Sequence, residues 1–279
     1  MMQARYVNHL GAVLNLNDGV YFLNANDLRD FSWDYETVGK PSGMGGKIKR
    51  FSRTVTEKTV RIAIRGTVTQ FRDRMNTLHA LTEPDILSGR PGRLYLNDQY
   101  LICYLSVSSG LSVYSERGHF AEKEMTVVAV EPFWHTEVRR RFSSADAGSI
   151  VGGKKYNLRL PYRFGAGYSN QTLYNSHYAP TPMKVIIYGP CTDPDVTIGG
   201  NLYSVAEVLD SGERLEIDQL SRTILKINDD GTIENLFDSR DKDHDIFMPA
   251  PAGNVSVGFT GTINFEIILI QQRSEPLWT

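Results

Sequence analysis

Leu14-Asn15-Leu16-Asn17-Asp18-Gly19-Val20-Tyr21-Phe22-Leu23 places two short apolar runs on either side of an Asp-Gly pair. An Asp-Gly pair accepts the positive φ angles of a tight turn, so the stretch reads as a β-hairpin. Downstream, Phe31, Trp33 and Tyr35 alternate with polar residues and would share one face of a strand. Phe51–Val55 and Thr59–Ile64 read as a further pair turning at Glu57-Lys58, with the glycine cluster Gly43–Gly46 as a flexible loop before them. The first third of the chain is therefore read as β.

One helix interrupts it. Val68, Phe71, Met75, Leu78 and Leu81 fall at spacings that make a single apolar stripe, which predicts a helix over about 67–83 packed on a sheet. Thr67 with Gln70 fits a capping box, and Pro84 is expected to stop the helix. Strands resume at Arg93–Leu96, Tyr100–Val107 and Met125–Val130, closing a first domain over residues 1–135. Residues 136–182 carry the basic run Arg139–Arg141, scattered glycines and many tyrosines, and read as an extended connection or arm. Residues 183–279 return to short strands. Val185–Tyr188 ends in Gly189-Pro190, Leu215 and Ile217 alternate with polar residues, and Asn228–Gly231 is a turn. Val255, Val257 and Phe259, then Ile263, Phe265 and Ile267, alternate as a β-sandwich requires.

Composition excludes several classes. At 279 residues, with 41% hydrophobic and 22% charged residues, the chain can bury a sizeable core without disulfides or metals. Cys103 and Cys191 are too few and too far apart for a disulfide framework or a metal-ligand spacing. The net charge is −2; residues 1–135 hold 16 Lys+Arg against 14 Asp+Glu, and residues 136–279 hold 14 against 18. Neither half is a basic module, so no nucleic-acid specificity is expected. Met125–Val130 and Ile267–Ile270 are far too short to span a bilayer, so no membrane insertion is expected. Met1–His9 lacks a secretory signal, and the sequons at Asn170 and Asn254 are read as chance.

Fragments that mimic catalytic motifs fail on chemistry. Ile150-Val151-Gly152-Gly153 has the look of an activated protease terminus, but Ser149 precedes it instead of a basic cleavage site. Gly43-Met44-Gly45-Gly46-Lys47 has the wrong spacing for a phosphate loop, and Ile48 stands where a magnesium-binding hydroxyl belongs. Asp241, Asp243 and Asp245 begin like a calcium loop, yet Ile246 and Ala252 replace the turn glycine and the bidentate Glu. The six histidines are scattered without ligand spacing. Glu122 and Glu124 share one strand face, the arrangement a glycosidase reading would need, but two acids near a strand's start are commonplace. No catalytic, cofactor-binding or metal-ligating residue is assigned.

Several segments in order carry a resemblance: Glu131-Pro132-Phe133-Trp134, Met183–Pro190 running into Cys191-Thr192-Asp193-Pro194, Gly212–Asp218 with Arg222-Thr223, and Pro251-Ala252-Gly253-Asn254 before Val255. Together with an N-terminal β domain holding one helix, their order resembles the distal tail proteins of long-tailed, siphovirus-like bacteriophages and prophages. The resemblance covers both domains. It implies a mainly β fold, an N-terminal β-barrel-like domain plus a C-terminal galectin-like β-sandwich. It also implies a structural, non-enzymatic role in the virion after assembly in the host cytoplasm. The subunits would form a homo-oligomeric ring, a hexamer in the family's usual form, joining tail tube protein and tape-measure protein to the tail-tip hub and receptor-binding proteins. Head-to-tail rings need two different complementary patches per subunit, and the ribbon read at Phe51–Val55 and Thr59–Ile64 is the expected donor of an open edge. The competing expectation is a carbohydrate-binding module using Tyr203, Phe237 and Phe247 as stacking faces.

Overall fold

The computed structural model describes residues 3–24, 28–113, 120–143, 168–260 and 263–277. The chain divides into two compact units, Met1–Thr136 with Gln272–Thr279, and Glu137–Gln271.

The first unit contains β1 (Ala4–Val7), β2 (Val13–Asn15), β3 (Tyr21–Asn24), β4 (Asp34–Gly39), β5 (Gly46–Ser52), β6 (Thr56–Arg65), α1 (Val68–Ser88), β7 (Gly92–Leu96), β8 (Gln99–Val113) and β9 (Phe120–Phe142) up to Thr136. Antiparallel pairing runs β3-β6-β9-β8-β7-β1-β2. The Asp18-Gly19 hairpin then brings the two ends of this row together. Asn17 bridges Phe22, and the Leu23 N–H donates to the Leu16 carbonyl at 2.9 Å. The sheet thereby closes into a barrel and leaves no open edge at that seam. Gly19 sits at φ +91°, as the turn chemistry demands.

Alternation explains the filling. Tyr6, Leu14, Leu23, Val60, Ile62, Ile64, Leu94, Leu105, Met125 and Val127 all point inward and are buried in one cluster. Phe71 and Leu78 of α1 join it, and the helix lies against β8, β2 and β6. The stripe packs on a sheet, as its spacing predicts. The capping box is present, with the Thr67 N–H donating to Gln70 Oε1 at 3.0 Å.

Two local expectations are corrected. Thr59–Ile64 does not turn back on Phe51–Val55: Thr56–Arg65 is a single strand between β3 and β9, and Phe51 belongs to β5, which pairs with β4. Glu57-Lys58 holds no residue suited to a tight turn, so the strand simply runs through it. Nor does Pro84 stop the helix, which continues to Ser88 and ends at Gly89 in the left-handed region, φ 65°. Proline inside a helix costs about 3 kcal/mol, and the next residue offsets it. Asp85, fully buried, accepts from the Tyr6 hydroxyl at 2.5 Å, from the His9 N–H at 2.8 Å and from His9 Nδ1 at 2.5 Å. Asn8 adds a bond from its side chain to the Leu81 carbonyl at 3.2 Å. Gly92 passes directly over this cluster, where an added Cβ would strike the Tyr6 hydroxyl and the Asp85 carboxylate.

The second unit contains the end of β9 and β10 (Tyr168–Asn175), β11 (Met183–Tyr188), β12 (Cys191–Thr192), β13 (Asp195–Ile198), β14 (Asn201–Ser204), β15 (Val208–Leu209), β16 (Arg214–Asp218), β17 (Thr223–Ile227), β18 (Ile233–Asn235), β19 (Gly253–Thr260) and β20 (Asn264–Arg273) up to Gln271. One sheet runs β18-β17-β16-β11-β20 with the end of β9 beside β20, and the other runs β10-β19-β13-β14. Between them lies one core holding Val185, Ile187, Val196, Leu215, Ile217, Val257, Ile267 and Leu269. Its centre is aromatic: Phe142 stacks on Phe265 at 4.8 Å, and Phe259 meets Phe265 edge-on at 4.9 Å. The two alternating segments at the chain's end therefore lie in opposite sheets of a sandwich. The Asn228–Gly231 turn and the β11 end at Gly189-Pro190 stand where the sequence places them. The structure is mainly β with one α-helix among the described residues. That helix is not long and apolar enough to cross a membrane.

Candidate assembly surface

The residues that mimic chemistry are dispersed and locally engaged. Glu122 and Glu124 alternate outward on β9, opposite Ala63 and Arg61 of β6, and Glu124 pairs with Arg61 at 3.5 Å. Asp241 accepts from the Asp243 N–H at 2.9 Å and from His244 at 2.6 Å, and Asp245 accepts from the Phe247 N–H at 3.0 Å. These carboxylates cap their own loop. Gly43–Gly46 forms the end of a hairpin, and Ile150–Gly153 lies outside the described residues. His9 and His135 serve packing: His135 is fully buried and stacks on Tyr100 at 5.2 Å. Its hydrogen bond to Glu131 holds that carboxyl below the usual carboxylate range. Cys103 is buried in the barrel, and burial pushes its thiol up to about 12.

The aromatic residues of the sandwich are likewise occupied. Tyr203 is buried, with its hydroxyl donating to the Met248 carbonyl at 2.6 Å, and burial pushes its pKa up to about 12. Phe237 and Phe247 stack on each other at 6.0 Å. Arg240 lies over Phe237 at 3.9 Å and Arg222 over Phe247 at 5.1 Å. A sugar seeking those faces would have to displace guanidinium groups.

The Arg139–Arg141 run is also partly spoken for. Arg139 and Arg141 reach the buried Glu266 at 3.6 and 3.7 Å, and the Tyr188 hydroxyl donates to it at 3.3 Å. Burial and the neighbouring Glu266 carboxylate raise the Tyr188 pKa. One strand over, Glu216 is flanked by Lys184 and by Arg214 at 2.9 Å. Burial would raise the Glu216 pKa, but these two cations outweigh it and hold the carboxyl low.

One element stands apart. Among the described residues β4 and β5 pair only with each other, and every residue of both strands is exposed. The register sets Tyr35 opposite Phe51 and Asp34 opposite Ser52, so Trp33 and Arg53 follow next on the Tyr35 face. That face is aromatic: Tyr35 meets Phe51 at 6.3 Å, and Trp33 meets Phe133 at 5.9 Å. The other face is charged, with Glu36 bonded to Arg50 at 2.9 Å and near Lys49 at 3.6 Å. An isolated two-stranded ribbon is marginal in water. Its root is held by Arg53, which lies over Trp33 at 5.5 Å and over Phe133 at 5.0 Å. Arg53 Nε and Nη1 are buried without a hydrogen-bond partner, and burial lowers its pKa. Among the described residues no carboxylate pairs with this cation, which is wrapped in aromatic rings.

The ribbon was half visible in the sequence. Phe31, Trp33 and Tyr35 show the alternation, and Phe51, Arg53 and Val55 repeat it across the glycine cluster. Reading the two together would have found the pairing.

Solved structures share this architecture over its whole length. SPP1 Dit superposes with a TM-score of 0.60 at 12% identity, covering 98% of this chain and 99% of that one. That protein is described as a paradigm of the hub adsorption apparatus in phages infecting Gram-positive bacteria. A chain of the phage P2 baseplate in its activated conformation with Ca gives a TM-score of 0.63 at 14% identity, covering 99% of this chain and 100% of that one. The Sr form of the same baseplate gives the same values. The chain has the fold of a phage Dit protein. The likeness agrees with the family resemblance read from the sequence. No protein-family model matches the chain, and no curated protein matches it.

Proposed function

We propose that this chain is a structural component of a bacteriophage tail tip, a ring-forming distal tail protein. It would join the tail tube to the hub and the host-adhesion device. The observation that carries the reading is the end-to-end fold match to SPP1 Dit and to a phage P2 baseplate chain, with both units included. The exposed ribbon supports it independently, because such an aromatic face on a monomer marks a protein contact. The role is non-enzymatic: the activity is the mating of surfaces. The first unit would build the ring wall and the second would project toward tail-tip partners. Tail tube, tape-measure, hub and receptor-binding proteins are the expected neighbours in the virion, with assembly in the host cytoplasm.

Light scattering of the purified chain, with negative-stain images, tests this directly. Closed rings, six subunits in the expected form, that bind purified tail tube or hub protein are the expected result. A chain that stays monomeric at high concentration, alone and with those components, overturns the reading.

A further inference from the structure

A closing ring requires each subunit to carry two unlike patches that fit each other. The first unit carries two exposed apolar patches of different character. One is the ribbon face, with Trp33 40%, Tyr35 64% and Phe51 58% exposed around the unpartnered Arg53. The other is a knob at the C-terminal end of α1, with Leu10 72%, Ile86 42% and Leu87 86% exposed. The Asp85 carboxylate assembles this knob by holding His9, so Leu10 and the Ile86-Leu87 pair flank a single buried anchor. Glu83 is exposed one helical turn before Leu87, on the same helix face, and makes no ion pair among the described residues.

We propose that the ribbon face of one copy docks head-to-tail on the α1 knob of the next. Trp33, Tyr35 and Phe51 cover Leu10, Ile86 and Leu87, and Glu83 brings a carboxylate to the Nη2 edge of the Arg53 guanidinium, the edge that burial of Nε and Nη1 leaves. The inference rests on the ring reading above and adds the two mating surfaces. Charge and character are complementary: aromatic rings and a desolvated cation on one side, aliphatic chains and a free carboxylate on the other. The exposed apolar area is also of the right scale. From the exposed fractions, each patch offers about 400–500 Å² of side-chain surface, against roughly 800 Å² per partner in a standard interface. The patches therefore form the centre of such a contact, with the ribbon's edges and the helix flank as its rim. Buried aromatic and arginine anchors are where binding energy concentrates.

The test uses two full-length variants altered only at exposed positions. Y35S/F51S loses the ribbon face and keeps the knob; L10S/L87S loses the knob and keeps the ribbon face. Each alone should need at least tenfold more protein than wild type to associate, as read by sedimentation velocity. Mixed, they should form a capped heterodimer of twice the monomer mass and nothing larger, because one intact interface remains. In a second arm, R53E and E83R should each weaken association at least tenfold, and R53E/E83R should recover it. A mixture that stays monomeric, or a double reversal as weak as the singles, overturns this inference while wild-type rings leave the ring reading standing. Wild type that forms no ring overturns both.

Discussion

Two aromatic clusters of similar size meet opposite fates. Phe142, Phe259 and Phe265 interlock between the sheets of the second unit and are all under 3% exposed. Trp33, Tyr35 and Phe51 stand 40% or more exposed on a ribbon that no other strand among the described residues pairs. Both clusters are aromatic; what differs most is the second layer. Phe265 has an opposing sheet to bury it, at the roughly 10 Å spacing that sandwich packing provides. Among the described residues no second layer covers the ribbon face. The first cluster stabilises the fold, and the second leaves its apolar surface exposed, the surface that the proposed head-to-tail contact would cover.

The sharpest way to break this contrast is to truncate one ring in each cluster. Phe265→Ala should cost about 3–5 kcal/mol of unfolding free energy in urea, because it leaves a cavity among fully buried rings. Phe51→Ala should change stability by no more than about 0.5 kcal/mol, as surface substitutions do. An equally large loss at Phe51 would mean that the ribbon face is already covered within the chain.

The next largest effect lies at the anchor beneath the knob. Asp85→Ala would strip the partner from the Tyr6 hydroxyl and from two groups of His9. Leaving buried donors unpaired costs about 1–3 kcal/mol each, so a loss of roughly 3 kcal/mol is expected. Native-state hydrogen exchange should quicken in the last turn of α1 ahead of the barrel strands. Uniform loss across the unit would show instead that Asp85 supports the whole barrel.

These elements also show what a sequence can reveal. The Asp18-Gly19 hairpin and the Thr67–Gln70 capping box were legible because a few neighbouring residues determine them. The helix end was not, since Pro84 is overruled by contacts to Tyr6 and His9, more than seventy residues away. The ribbon's pairing is not legible locally, because Phe51–Val55 alternates equally well toward either neighbour, and only the ten-residue span of β6 against β9 decides the partner. Trp33 and Tyr35 could be read as one face, but not as an exposed one. Leu10 and Leu87 carry no local pattern that links them, because only the His9–Asp85 contact brings the residue 8–10 turn to the end of α1.

The smallest expected effect tests whether the outer face of the sandwich is finished within the chain, unlike the ribbon. Glu216 is mostly buried and sits between Lys184 and Arg214, which hold its carboxyl below the usual value of 4.5. A carboxyl depressed in the folded state stabilises fully above its unfolded pKa and loses that contribution as pH falls through the folded value. Glu216→Gln should therefore lower Tm at pH 7 by a few degrees at most, about 2–4 °C per kcal/mol. The gap to wild type should shrink as pH drops below about 4.5 and vanish near the lower folded value. Differential scanning calorimetry between pH 7 and pH 3 would measure it. A gap that stays constant with pH would assign the loss to packing and not to the Lys184–Glu216–Arg214 charges.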